Sequence, residues 1–181
     1  YTGSNVSLTN LVNNSGVVAA DVTGVGTARR GLAAARYGTD KGIFAYGLTG
    51  SRVSMSNLVS NSGVVASDVS GVGTARNFLE AASYGTDKAI FAYGNGGSPV
   101  SLKNLVSNLG VIAADVAGVG SAGQDRGACS FGGDKAIFGY GGPTATAITN
   151  LVSNLGVVAA DVAGVGTARE GLCATGFSYS A

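Results

Sequence analysis

The chain has 181 residues, 45% of them hydrophobic and 12% charged, with Lys plus Arg (11) nearly balancing Asp plus Glu (10). That length holds one domain with a sizeable core, and the apolar content excludes a disordered chain. The balanced charge excludes the basic stripe that nucleic acid or an acidic membrane surface requires, and no apolar run reaches the roughly 20 residues of a membrane-spanning helix.

The chain is built from near-copies of one segment. Residues 16–29, 63–76, 110–123 and 156–169 share a pattern whose last copy runs Gly-Val-Val-Ala-Ala-Asp-Val-Ala-Gly-Val-Gly-Thr-Ala-Arg. Asn10, Asn57, Asn104 and Asn150 head equivalent stretches, which sets the period at 47, 47 and 46 residues. A single domain, 1–181, therefore divides into repeats of about 1–47, 48–94, 95–141 and 142–181. A period of about 45–50 residues with 31 Gly and only two Pro points to all-β propeller blades, since one blade is four short strands and their turns.

In chain order, residues 5–12 and 16–22 read as a third and a fourth strand, and residues 24–29 as a joint. The first complete repeat follows. Its first strand, 31–37, is rich in small residues, as suits an innermost strand crowded by its neighbours. Gly38-Thr39-Asp40 turns the chain. The second strand, 41–46, alternates Ile43 and Ala45 on one face with Phe44 and Tyr46 on the other. Residues 53–59 and 64–69 read as third and fourth strands around the turn at 60–63. Two further sets follow, and the chain closes on one first strand at 171–177, with one second strand missing. The expected fold is a four-bladed β-propeller closed by its two termini, residues 178–181 partly replacing the missing strand. The alternative is part of a longer repeat array or a β-solenoid. The chain opens on Tyr1 rather than Met, as a processed product, a fragment or a chain recorded without its start does.

Thr74-Ala75-Arg76, a short small-residue strand, and Tyr84-Gly85-Thr86-Asp87-Lys88-Ala89-Ile90-Phe91-Ala92-Tyr93-Gly94 together resemble a kelch motif. Gly141-Gly142 keeps that motif's double glycine, whereas Gly47 and Gly94 stand alone and the family's usual Trp is absent. The repeats also resemble those of repetitive surface or virion-associated proteins of aquatic bacteria and their phages. That resemblance implies an extracellular or virion-associated location.

Chemistry is sparse. With no His, the Ser-His and Cys-His nucleophile pairs cannot form, and the carboxylates recur at shared positions instead of converging. No enzyme activity, cofactor or metal site is expected. Gly24-Val25-Gly26 and its three copies lack the third glycine and the helix of a nucleotide loop and read as turns. Cys129 and Cys173 read as two thiols behaving as small hydrophobes, with a single disulfide as the alternative. Asn5 and Asn13 stand in glycosylation acceptor patterns. The repeated Arg29, Arg76 and Arg169, interrupted by Gly123, either bridge to repeat carboxylates and loop carbonyls or bind an anionic or hydroxyl-rich ligand such as a glycan. The copies differ most in two loops, after each arginine and between strands two and three, which the meander places on one face. Arg52, Asn77 and Asn95 join the three arginines as ligand-binding candidates. The expected role is a non-catalytic structural or adhesive module, with glycans or copies of itself as partners. The alternative is a lectin-like propeller.

Overall fold

The computed structural model describes residues 3–176, which contain strands and no helix. Three three-stranded antiparallel sheets form, each joining the first two strands of one repeat to the third strand at the start of the next. The first comprises β1 (Ala33–Tyr37), β2 (Lys41–Ala45) and β3 (Ser56–Val59), and the second β4 (Glu80–Tyr84), β5 (Lys88–Ala92) and β6 (Lys103–Val106). The third comprises β7 (Gly127–Phe131), β8 (Lys135–Gly139) and β9 (Thr149–Val152). In each sheet the second strand is central, and the tight turn before it runs through two left-handed residues, Gly38 and Thr39 in the first repeat (φ 57° and 70°).

The expected fourth strand is reduced to an outer segment held to the third strand by isolated bridges. Ser56 pairs with Val69 and Val59 with Val65, so three steps along β3 face four along the outer segment. This is a β-bulge, and it recurs at Lys103/Val116 with Val106/Ile112 and at Thr149/Val162 with Val152/Val158. Its cause is a side chain. The Asn57 amide donates to the Ala66 carbonyl (3.0 Å) and to Asp68 (2.8 Å), taking a place that a ladder bond would otherwise fill. Residues 5–22 form the same bridged hairpin, through Thr9/Val22 and Val12/Val18.

The sheets stack face to face, with β4 between β1 and β7. Alternation along the central strand decides which neighbour each residue meets. In β5, Ala89 and Phe91 pack back onto the first sheet with Ile43, Ala45 and Tyr46. Ile90 and Ala92 pack forward with Ala136, Phe138 and Val152. Tyr46 therefore does not share a face with Phe44. Its left-handed backbone (φ 65°, with 63° at Tyr93 and 60° at Tyr140) breaks the alternation and swings the ring forward onto the next repeat. Backbone bonds run along the stack as well: Phe78 N–H donates to Gly31 O (2.9 Å), Asp125 N–H to Phe78 O (3.0 Å) and Gly171 N–H to Asp125 O (3.1 Å). Small first-strand residues permit this approach, and Ser83 and Ser130 use it to donate to Arg36 O and Ser83 O, each at 2.8 Å.

Among the described residues the stack is open at both ends. Gly26, Gly73 and Gly120 each abut the Asp and Asn of the following repeat, whereas Gly166 has no described atom within 4 Å of where its Cβ would stand. Gly16 at the other end is equally open. No closed ring is detected among the described residues. The proposed replacement strand at 178–181 lies outside them, as does residue 177 of the last first strand.

The first glycine of each Gly-Val-Gly joint lies against the residue two positions before a third strand or its counterpart in the 5–22 hairpin, so that a Cβ on Gly118 would collide with the Ser101 carbonyl. Gly118→Ala is expected to lower stability by about 1–3 kcal/mol or more through overpacking. Gly50→Ala, where a Cβ meets open space, is expected to change it by less than about 0.5 kcal/mol. Urea denaturation of both variants checks the contrast.

Candidate functional site

The arginines sit between repeats. Arg76 is fully buried. Its Nε donates to the Tyr93 carbonyl (2.9 Å), Nη2 to Asn104 Oδ1 (2.5 Å) and Nη1 to the Thr74 carbonyl (3.2 Å), while Asp115 lies 3.7 Å away. The same guanidinium lies over the Tyr46 ring of the preceding repeat, 4.2 Å from its centroid, and Tyr46 meets Phe91 edge-on at 5.5 Å. Arg29 repeats the pattern with Tyr46 O (2.8 Å), Asn57 (2.6 Å) and Asp68 (3.7 Å).

The break in the series at Gly123 is filled from elsewhere. Arg126, three residues on, is buried and donates to Asn150 (3.1 Å) and to the Ser121 carbonyl (3.0 Å). It lies over the Tyr93 ring at 4.0 Å, and a Cβ on Gly123 would meet this guanidinium. Column-by-column comparison of the repeats misses Arg126. The signal available was an extra arginine just beyond the column that lacks one.

The Asp of each outer segment completes the joint. Thr27 donates to Asp68 from N (2.9 Å) and Oγ1 (2.7 Å). Thr74 does the same to Asp115 (2.8 and 2.6 Å) and Ser121 to Asp161 (3.0 and 2.7 Å). Hydrogen bonds from Thr27 hold Asp68 below the usual carboxylate range. Burial pushes Asp115 and Asp161 upward, but bonds from Thr74 and Asn104, and from Asn150 and Ser121, carry both below it. Burial lowers Arg29, Arg76 and Arg126 and pushes the Tyr46 and Tyr93 hydroxyls up to about 12.

The candidate ligand residues therefore separate. Arg29 and Arg76 face inward. Arg169 is exposed and covers the Tyr140 ring at 3.8 Å. Arg52, Asn77 and Asn95 do converge on the variable loop edge: Arg52 donates to Asn95 (2.9 Å) and Asn77 (3.3 Å), and Asn95 donates to Gln124 (2.7 Å). The two variable loops meet there through bridges at Arg30/Leu48, Asn77/Asn95 and Gln124/Gly142. Asn5 gives its amide to the carbonyls of Leu48 and Thr49, each at 3.1 Å. Cys129 is half-buried, Cys173 is exposed, and both are free thiols. Among the described residues no His/Cys/Asp/Glu group is placed to hold a metal.

At the first joint no described tyrosine takes the corresponding place. A cavity of about 180 Å³ is lined by Val25, Thr27, Arg29, Leu32, Phe44 and Asn57 among others. These are the counterparts of the residues around Tyr46.

No protein-family model matches the chain, and no curated protein matches it.

Arg76→Ala is expected to cost about 3 kcal/mol in chemical denaturation, because it leaves the Tyr93 carbonyl and Asn104 amide oxygen buried without a donor. Arg169→Ala, at an exposed stacked site, is expected to cost less than about 1 kcal/mol. Titration gives a second test. The depressed Asp68, Asp115 and Asp161 contribute stability that is complete above their unfolded pKa of about 3.9 and is lost as pH falls through their lower folded values. Half-buried Glu80 works the other way. Burial first, then the charge of Asp125, raise it to about 7, so stability falls as pH rises from about 4.3 to about 7 and is level above. Glu80→Gln is expected to abolish that decline in thermal melts across this window and leave the acid limb intact.

Proposed function

We propose that this chain is a non-catalytic structural module, a rigid stack of β-repeats that serves as scaffold or adhesive element in an extracellular or virion-associated assembly. The observation that supports this reading is the use made of the repeated polar groups. The Thr or Ser of each joint bonds to the Asp of the following layer, and buried Arg76 and Arg126 bond to the Asn of their own layer while lying over the tyrosine ring of the preceding one. Such groups stiffen the stack and leave the repeated chemistry turned inward.

For the geometry, an open array accounts better for the unmatched Gly16 and Gly166 than a four-bladed kelch-like ring, which would use the same contacts within one chain. The kelch-like repeat wording is compatible with either.

The lectin reading keeps one supporting feature, the Arg52–Asn77–Asn95–Gln124 cluster on the loop edge. Several of its donors and acceptors are spent within the loops, through Arg52–Asn95, Arg52–Asn77, Asn95–Gln124 and Gln124–Asp125, which favours a structural role there too. A glycan array separates the two. The structural reading expects no saturable binding by the intact chain. Binding that disappears in Arg52→Ala, with the fold unchanged by circular dichroism, would replace it with the lectin.

A further inference from the structure

The three internal joints share the Thr/Ser–Asp and Arg–Asn contacts, and the two ends of the stack each carry half of a fourth set. We propose that a second copy of this chain docks head to tail, the hairpin at residues 9–22 of one copy completing the layer begun by residues 166–176 of the other. The inference rests on the structural reading above and names its partner.

Four independent vacancies match. Thr27, Thr74 and Ser121 each donate to the Asp of the next layer; among the described residues Thr167 has no carboxylate, and exposed Asp21 receives only Asn10 (2.8 Å). Arg29, Arg76 and Arg126 each donate to the Asn of their own layer's third strand; among the described residues the Arg169 guanidinium donates only to the Thr167 carbonyl (3.2 Å), and Asn10 is exposed at the opposite end.

The turns agree. Gly110 is packed by Leu58 and the Tyr37 ring, and Gly156 by Leu105 and the Tyr84 ring. Their counterpart Gly16 faces open space, and Leu151, the next leucine in the series, is 42% exposed at the other end. Likewise Gly38 and Gly85 abut the carbonyls of Asn108 and Asn154, whereas Gly132 has nothing within 4 Å; the counterpart of those asparagines is Asn14. All four pairs place the two copies in the same register, continuing the stack by one period. The charges are complementary, with Asp21 at the head and Arg169 at the tail. Because head and tail differ, the contact is heterologous and propagates instead of closing on a dimer. The composite layer has no described counterpart of β2, β5 and β8, so it is weaker than the internal ones and forms with rising concentration.

Sedimentation velocity tests this with two exposed variants, Asp21→Lys at the head and Leu151→Glu at the tail. Wild type is expected to give a mass that grows continuously with concentration. Each variant alone is expected to be monomeric with unchanged circular dichroism. Their mixture is expected to give one-to-one dimers and nothing larger, since each supplies the end the other lacks. A wild type that stays monomeric at all concentrations, or stops at a dimer, overturns the proposal, as does a mixture that remains monomeric. A monomeric wild type that is destabilised by either substitution identifies the closed ring instead. None of these outcomes bears on glycan binding, so the proposal and the structural reading fail separately.

Discussion

The stack depends on a guanidinium buried at each internal boundary. Removing an arginine from water costs several kcal/mol unless its donors are met; at Arg29 and Arg76 they are met by a fork of fixed geometry, whereas buried Arg126 leaves its Nε without a described partner. A tyrosine carbonyl takes Nε and an asparagine oxygen takes Nη2 at Arg29 and Arg76, with an aspartate close by. The ring beneath Arg76 comes from the preceding layer. Displacing one layer on the next would take the charge off that ring. The arginine therefore accounts for register, while the apolar clusters between sheets account for most of the cohesion.

Two costs are accepted to build this joint. Tyr46, Tyr93 and Tyr140 adopt left-handed backbones, which cost about 1–2 kcal/mol each for a residue with a Cβ. In return each ring leaves its own sheet and lies under the arginine. The outer segment gives up regular pairing because Asn57, Asn104 and Asn150 spend their amides on its carbonyls and on its Asp. The same amide groups accept from the arginines through their oxygens, so one side chain joins the outer segment to the joint.

Much of this was legible in the sequence. The period, the first three strands of each repeat and the turn role of Gly-Val-Gly follow from spacing, alternation and glycine placement. The outer segment reads as a strand because Val64, Val65 and Val69 suit one, yet the neighbour that disrupts its ladder is an asparagine side chain, which no propensity registers. Phe44 and Tyr46 read as one face because alternation was carried through a residue whose φ is positive. Of the six candidate ligand residues, Arg52, Asn77 and Asn95 do meet, because variable loops at equivalent strand ends share an edge. Arg29 and Arg76 are internal because their partners lie 17 and 28 residues away in the chain, separations that local patterning does not reach. Ring closure follows from strand counting alone, which is indifferent to whether complementary ends belong to one molecule or two.

Arg126 carries a consequence for how such a chain can change. It reaches its place over Tyr93 from a position three residues later than its counterparts, with Gly123 vacating the space. The joint thus constrains a point in space and leaves the chain free to supply it from more than one address. Sequence copies can drift apart in alignment while the molecule stays periodic, and a column of letters then underestimates how alike the layers are.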